Sequence, residues 1–407
     1  MNQMKFGVAA NDITPPVGVP LMGYDPRPSD SIDHRLRAEA LACEGENSGW
    51  ILVGADLCAF SSPLANLVRA DIAQHTGLPR DAVMLTATHT HSGPHVSDAI
   101  WAERTEQESA YFIDLRRKLT DTAAQAWKQR SPGTLVHART AAPALASNRR
   151  VMTPDGTWTN KWSDPEGTHR GYFDATVDLL GIRRENGSLD ALLVNFGCHP
   201  VCFGKDSRAI SGDYVSYMKD ALEESGAAGT VLFTVSGHGN IDPRKCVQSD
   251  PQVVREMGEA LAGIVQRALP HFSPLKGTGA AAVREPWTFQ TTWDIGGRLA
   301  IYFPHAEKGA QVETGVTALA AGDIVLLGLP GETVSEYRKK FEKASPFKHT
   351  MMISLANDML GYLPTDEILN QGAYEAGLSP LNPIEKDLTK HVETVLKTVY
   401  SAVSSCH

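Results

Sequence analysis

Five apolar, strand-like segments of the sequence each end next to a side chain that could bind a metal ion or transfer a proton. These segments read VMLTAT, LLVNFGC, VLFTVSG, IVLLGLPG and MMISLANDMLG. The side chains that follow them belong to His89, His91, His199, His238, Asp242, Glu332 and Tyr362. In open α/β sheets, ligand sites collect at the carboxyl ends of strands. One such ending would carry little weight, but five indicate a shared site.

The Thr88-His89-Thr90-His91 motif places two imidazoles two residues apart. If the strand continues through them, both side chains lie on one face, so that one can bind a metal ion while the other faces a substrate. Two surface histidines would give the same pattern. Neutral imidazoles together with one carboxylate form the ligand set of a catalytic zinc ion, which keeps a position open for water.

The other candidates each have a structural explanation as well. A lone histidine after an apolar run, such as His199, is more often a hydrogen-bonded core residue than a ligand. Glu332 follows Leu-Pro-Gly and could simply complement the dipole of a helix that begins there. Asp242 could accept a proton, and the two glycines before it allow close backbone approach to a ligand. Asp before Pro is also a common turn former, which leaves a plain turn as the alternative.

The segments between these residues alternate between β-branched apolar runs and helical patterns, which is typical of an α/β fold. We predict one continuous unit, 1–407, with loop insertions at 143–170 and 274–315. The Trp and Tyr content of the second insertion suits a segment that covers a cleft. The predicted helices are 63–74, 112–130, 214–226, 253–269, 332–344 and 383–403.

Composition excludes several classes of protein. The net charge of -9 and the lack of a Lys/Arg-rich block disfavour nucleic-acid binding. No stretch approaches the roughly 18 apolar residues of a membrane span, so we expect no stable membrane insertion. Six scattered cysteines do not form a disulfide scaffold. We expect a cytoplasmic protein that acts on a small molecule and that could form a homo-oligomer.

An ordered series of motifs resembles the neutral/alkaline ceramidase family across nearly the whole chain, and the series is much more specific than any one motif. The motifs are Asp12-Ile-Thr-Pro-Pro, Met22-Gly-Tyr, Thr88-His-Thr-His-Ser-Gly-Pro94, Asn148-Arg149, Asn195-Phe-Gly-Cys-His-Pro200, Pro330-Gly-Glu332, Gly361-Tyr362 and Tyr374-Glu375. The resemblance implies a mixed-sheet α/β catalytic domain. It also implies zinc ligands and pocket residues: His89, His199, Glu332 and Tyr362 for the metal, and His91, Arg149 and Tyr374 for the substrate.

The sequence departs from this family at three points. Where the family has Gly-Asp-Val-Ser-Pro-Asn, this chain has Gly239-Asn240-Ile241-Asp242-Pro243-Arg244. An aspartate therefore replaces the family's presumed catalytic serine. We also expect neither the family's C-terminal immunoglobulin-like domain nor its secretion signal. These departures favour a small, polar N-acyl or ester substrate over ceramide.

Together these observations predict a zinc-dependent hydrolase that cleaves an amide or related acyl bond with a metal-activated water. His91 or Tyr374 would stabilise the oxyanion, and Arg149 would hold a polar substrate group. Asp242 or His238 would carry the proton to the leaving group. Two alternatives stay open: a metal-dependent lyase or isomerase acting on a carbonyl-containing, sugar-like substrate, and an inactive ligand-binding homologue.

Overall fold

The computed structural model describes residues 4–46, 48–96, 105–292 and 307–404. Its strands, in chain order, are β1 (Lys5–Asp12), β2 (Pro20–Leu21), β3 (Arg27–Pro28), β4 (Ser31–Ile32), β5 (Arg37–Glu44), β6 (Gly49–Ala55), β7 (Val83–Ala87), β8 (Ser131–Pro132), β9 (Thr134–Ala141), β10 (Ala146–Asn148), β11 (Arg150–Met152), β12 (Trp158–Asn160), β13 (Thr176–Arg183), β14 (Leu189–Phe196), β15 (Ala209–Ile210), β16 (Thr230–Val235), β17 (Ile241–Pro243), β18 (Ser273–Pro274), β19 (Ala280–Gln290), β20 (Gln311–Ala321), β21 (Ile324–Gly328), β22 (Glu332–Thr333), β23 (His349–Ile353) and β24 (Tyr362–Leu363).

Six of the helices match the segments predicted from sequence. The helices are α1 (Ser62–Thr76), α2 (Glu106–Lys128), α3 (Tyr214–Glu224), α4 (Pro251–Ala268), α5 (Glu336–Ala344), α6 (Asp366–Gln371), α7 (Tyr374–Gly377) and α8 (Glu385–Ser404). Local capping explains where the first two begin. Ser61 caps α1 by accepting the N–H of Leu64, and Thr105 forms a capping box with Glu108 at the start of α2.

Three larger sheets form the framework of the described residues. Their strand orders are β7-β6-β5-β1-β8, β16-β14-β13-β9-β18 and β19-β20-β21-β23. Each sheet is mostly antiparallel but contains one parallel pair, namely β6–β7, β14–β16 and β21–β23. A parallel pair needs a long crossover, and α1, α3 and α5 provide these three crossovers. The predicted mixed-sheet α/β fold is confirmed.

The segment that follows β23 joins the edges of the three sheets. Ser354 N–H donates to Val235 O on β16 at 2.8 Å, and Asn357 N–H donates to Leu85 O on β7 at 2.8 Å. Asn357 also accepts the Leu85 N–H through its side-chain oxygen at 2.9 Å. The carboxyl ends of the parallel pairs are therefore brought to one place, as the pattern of strand endings predicted.

The arrangement of the apolar core follows the three sheets. One cluster lies between the sheets and contains Trp50, Leu193 and Leu326, which come from different sheets. Three further clusters pack helices against the outer faces, with α1 and α2 on the first sheet, α3 and α4 on the second, and α5 and α8 on the third. The site residues are thus attached to a rigid, buried framework.

Two expectations from sequence need correction. The predicted helix 332–344 begins only at Glu336, because Glu332 and Thr333 form β22, which pairs in parallel with β24. The described part of the insertion 274–315 forms the long β19–β20 pair, and Trp287, one of the aromatic residues expected to cover a cleft, is instead buried in the core beside α8. Residues 293–306 of this insertion lie outside the described residues.

A buried ion-pair network fastens α5 to β13. Arg338 Nη2 lies 2.5 Å from Asp178 Oδ2, and His137 Nε2 lies 3.1 Å from Asp178 Oδ1, which also accepts from Arg139 Nε at 2.7 Å. Burial raises the pKa of Asp178, but the hydrogen bond from His137 and the charges of Arg338 and Arg139 outweigh it and hold the pKa well below its usual range.

Asp178→Asn should lower the free energy of unfolding by about 3–5 kcal/mol at pH 7, because it removes the buried carboxylate that Arg338, Arg139 and His137 share. A carboxyl group with a depressed pKa stabilises the fold above its unfolded pKa of about 3.9 and loses this effect as the pH falls through the folded pKa. The difference from wild type in urea denaturation should therefore shrink in acid. Asp121→Asn, in an exposed pair with Arg117, is the matched control and should change little.

Candidate metal centre

Three histidines and one glutamate converge at the meeting point of the sheets. The ligand atoms of His89, His199, His238 and Glu332 all lie within 4.8 Å of one another, and all four side chains are buried. Glu332 Oε2 is 3.1 Å from His199 Nε2, 3.4 Å from His89 Nε2 and 3.9 Å from His238 Nε2. Nitrogen and carboxylate donors at these spacings could hold a metal ion.

Each of the three imidazoles is oriented by a backbone carbonyl. A carbonyl oxygen only accepts, so each Nδ1 carries the proton and each Nε2 turns its lone pair toward the shared centre. The three Nδ1 bonds are His89 to Cys58 O at 2.7 Å, His199 to Ile241 O at 2.9 Å and His238 to Ser236 O at 3.1 Å. The protein therefore prepares the tautomer that metal binding requires.

The backbone of His89 is strained. Its φ is 74°, in the left-handed region that non-glycine residues rarely occupy. Its N–H donates to Leu57 O at 2.9 Å, which helps to hold this conformation. Such strain costs on the order of 1–3 kcal/mol and is concentrated at functional sites. The conformation turns His89 toward His199 and Glu332, away from the direction a continued strand would give.

Glu332 and Tyr362 are cross-strand neighbours. They are directly paired in β22 and β24, and Glu332 N–H donates to Gly361 O at 2.8 Å. Glu332 is therefore not the first residue of a helix, which removes the helix-dipole explanation. Burial raises its pKa, but without a bound ion His89 and His199 can carry a second proton on Nε2, and their charge and hydrogen bonds then outweigh burial and hold the pKa well below the usual value. The carboxylate is thus ionised, as a metal ligand must be.

Arg149 uses most of its guanidinium N–H groups in hydrogen bonds within the protein. It donates to Glu375 Oε1 at 2.8 Å, Asp242 Oδ1 at 3.1 Å, Gly239 O at 2.6 Å and Tyr362 Oη at 3.1 Å. A guanidinium has five N–H groups, so these bonds leave about one for a substrate. Arg149 was predicted to hold a polar substrate group, and the structure shows it orienting Asp242 and Tyr362.

Asp242 is a buried strand residue. It lies in β17, paired with Ser147 of β10, so the plain turn that was its alternative explanation does not apply. Its Oδ1 accepts from Arg149 and is 3.4 Å from His199 Nδ1. Its Oδ2 is buried and has no hydrogen-bond partner within the described part of the chain. A buried acceptor in this state costs about 1–3 kcal/mol, which points to a partner bound in the adjoining cavity.

A cavity of about 230 Å³ lies against this group. Sequence reasoning identified most of its polar lining but missed Gly23, Tyr24, Trp162, Val201 and Val247. Only Gly23 and Tyr24 carried a signal, because they belong to the Met22-Gly-Tyr motif. The lining residues are Gly23, Tyr24, His91, Arg149, Trp162, His199, Val201, Asp242, Val247, Tyr362 and Tyr374.

His91 links the cavity to the buried donors. Its Nε2 is 3.3 Å from His89 Nε2, and burial together with the neighbouring His89 and His199 lowers its pKa well below the usual value. It is therefore a neutral imidazole. Gly23 has a φ of 106°, and a Cβ there would come within 2.3 Å of the His91 ring, so only glycine fits. Cys58, His89 and His91 form a second donor group, which shares His89 with the first.

The model of the neutral/alkaline non-lysosomal ceramidase N-terminal family matches residues 4–274. The chain belongs to this ceramidase family. Neutral ceramidase A of Dictyostelium discoideum is 26% identical over 267 residues, which are 59% of this chain and 36% of that protein. The chain therefore spans little more than a third of the length of the curated relative that it matches.

Solved ceramidase structures share the fold. A crystal structure of neutral ceramidase from Pseudomonas aeruginosa matches with a TM-score of 0.79 at 17% identity, over 98% of this chain and 75% of that one. A ceramidase complexed with C2 matches with a TM-score of 0.80 at 18% identity, over 98% of this chain and 76% of that one.

Among the described residues, no helix combines the length and apolar character that crossing a membrane requires.

Proposed function

We propose that this ceramidase-family chain is a zinc-dependent hydrolase that cleaves an amide (N-acyl) or related acyl bond of a small polar substrate. The observation that carries the proposal is the buried group of His89, His199, His238 and Glu332, placed against a cavity. Imidazole and carboxylate donors suit zinc, and the unpartnered Nε2 of His238 fits a cation at the centre of the group.

When bound, a zinc ion would polarise an acyl oxygen and lower the pKa of a water molecule to about 7. The chain's own groups would supply the rest. Asp242 Oδ2, which has no partner among the described residues, can accept a proton and return it to the leaving group. Arg149 holds Asp242 in place through its Oδ1. His91 and Tyr374 line the cavity where the acyl oxygen would lie and can donate hydrogen bonds to it.

The size of the cavity supports a small substrate. Its volume of about 230 Å³ is below the range of about 300–1,000 Å³ for drug-sized ligands. Three lining residues are partly open to solvent, with exposed fractions of 40% for Trp162, 43% for Tyr374 and 40% for Val247. A substrate would thus insert its scissile bond and leave any longer group against this apolar rim.

A substrate panel tests this function. N-acyl amino acids, N-acetyl amino sugars, simple esters and a short-chain ceramide should be incubated with the full chain, and the released acid or amine measured. We expect hydrolysis of a small N-acyl or ester compound. Turnover of only a carbonyl substrate by isomerisation or elimination would contradict the proposal, and so would binding without turnover of any compound.

We predict that no acyl group becomes attached to the protein during turnover. Asp242 stands where the family has its presumed serine, and a route through activated water needs no covalent intermediate. Mass spectrometry of the enzyme quenched in the steady state should show the unmodified mass, with Glu332→Gln treated in parallel to measure background acylation. An acyl adduct on a Ser, Thr or Cys of the active protein would overturn the water route.

A further inference from the structure

His238 belongs to the buried donor group and, like His89, does not line the cavity. Its ring is completely buried, with centroids 4.6 Å from the His199 ring and 4.9 Å from the His89 ring. Its Nδ1 donates to Ser236 O at 3.1 Å, so its Nε2 carries a lone pair.

The surroundings of that lone pair are favourable only when a cation is bound beside it. His238 Nε2 has no hydrogen-bond partner among the described residues, and Glu332 Oε2 lies 3.9 Å from it. A separation of 3.9 Å is too long for a hydrogen bond. A buried lone pair facing a carboxylate is repelled unless a positive ion lies between the two.

The turn that carries His238 is built tightly against the strand of Glu332. Gly239 N–H donates to Thr333 O at 2.9 Å, and a Cβ on Gly239 would meet Glu332 O at 2.6 Å. A Cβ on Gly237 would lie 3.0 Å from Ser335 Cα. Glycine on both sides therefore allows His238 to approach the carboxylate this closely.

We propose that His238 is a third imidazole ligand of the ion, and that the ion works with five or six coordination positions. This inference rests on the metal-dependent function proposed above. Ligands about 2.1 Å from a tetrahedral ion lie about 3.4 Å apart, close to the observed 3.1, 3.4 and 3.9 Å from Glu332 to the three imidazoles. Three imidazoles and one carboxylate already complete a tetrahedron.

A catalytic ion keeps at least one position for water or substrate, so a site with four protein ligands requires a fifth position. The open side faces the cavity, which His199 and His91 line. The Tyr362 hydroxyl oxygen, which accepts from Arg149 and lines the cavity, can occupy one of the further positions. The site then suits ions that favour higher coordination numbers, such as Fe²⁺, Mn²⁺ or Co²⁺, as well as five-coordinate zinc.

X-ray absorption spectroscopy of the full chain loaded with Co²⁺ tests this inference without any substrate. The scattering should indicate three coordinated imidazole rings in the wild type and two in His238→Gln. The affinity for Co²⁺ should fall at least about 10-fold in that variant. His75→Gln is the control, since it removes an exposed imidazole on α1 that belongs to neither donor group. It should keep three rings and the wild-type affinity.

Two rings in the wild type, or an unchanged count and affinity in His238→Gln, would overturn the inference while leaving a metal-dependent hydrolase intact. A wild-type chain that holds no ion at all would instead overturn the proposed function. If His238→Gln fails to fold, as judged by circular dichroism, the ring count and the visible absorption of the wild type still decide. Intense absorption typical of tetrahedral Co²⁺ would contradict the expected fifth ligand.

Discussion

Replacing Glu332 with glutamine should remove both the bound metal ion and the hydrolytic activity. The carboxylate lies 3.1–3.9 Å from the three imidazole nitrogens and provides the only negative charge in the donor group. Glutamine keeps the shape of the side chain and the backbone pairing of β22 with β24, so the fold should be retained. We expect the metal content to fall from about one ion per chain and kcat/KM to fall by more than about 100-fold, beyond the effect of outer-shell changes.

Elemental analysis after dialysis against a competing chelator measures the metal, and the melting temperature of the metal-free proteins checks the fold. His199→Ala should behave in the same way. Glu336→Gln is the matched control, because Glu336 lies four residues further on and bonds Asn240 outside the donor group. Full metal occupancy in Glu332→Gln under the chelator would show that the ligand assignment is wrong.

Asp242→Asn should lower kcat by about 10²- to 10⁴-fold, the usual contribution of a proton-transfer group. Asparagine retains an oxygen that can accept from Arg149, and Glu375 still neutralises that guanidinium. The change therefore removes the basicity of the unpartnered Oδ2 while disturbing its surroundings little. Metal content and melting temperature should stay near the wild-type values.

A second variant separates this role from a merely structural one. Asp242→Glu keeps a carboxylate and should retain more activity than Asp242→Asn. Ser147→Ala, which alters the residue paired with Asp242 across β10 and β17, is the control and should keep the wild-type activity. Equal activity in Asp242→Asn would assign Asp242 a structural role and move the proton transfer to His91.

The positions of the candidate residues could be predicted because strand endings are visible in the sequence. Apolar β-branched runs identified β7, β14, β16, β21 and β23, and the helical patterns identified the crossovers between them. Residues such as His89 and His199 could therefore be expected to meet. The ordered motifs of the ceramidase family added Arg149 and Tyr374, which no local periodicity singles out.

The remaining features depend on contacts between distant segments. Whether Glu332 begins a helix or pairs with Tyr362 is decided by β24, thirty residues further along the chain. The partners of Arg149 come from three separate segments. His238 was predicted as a possible proton carrier, but in the structure it lies with the metal donors. The hydrogen bond from its Nδ1 to Ser236 O, which orients the ring, is not visible in the sequence.

The most direct test of the central claim is the activity of the chain before and after its metal is removed. The best substrate from the panel of N-acyl compounds and esters should be assayed with untreated protein, with protein stripped by chelator, and with stripped protein given increasing zinc. We predict that stripping abolishes hydrolysis and that activity returns with about one equivalent of zinc per chain. Full hydrolysis by protein shown to be free of metal would contradict the account.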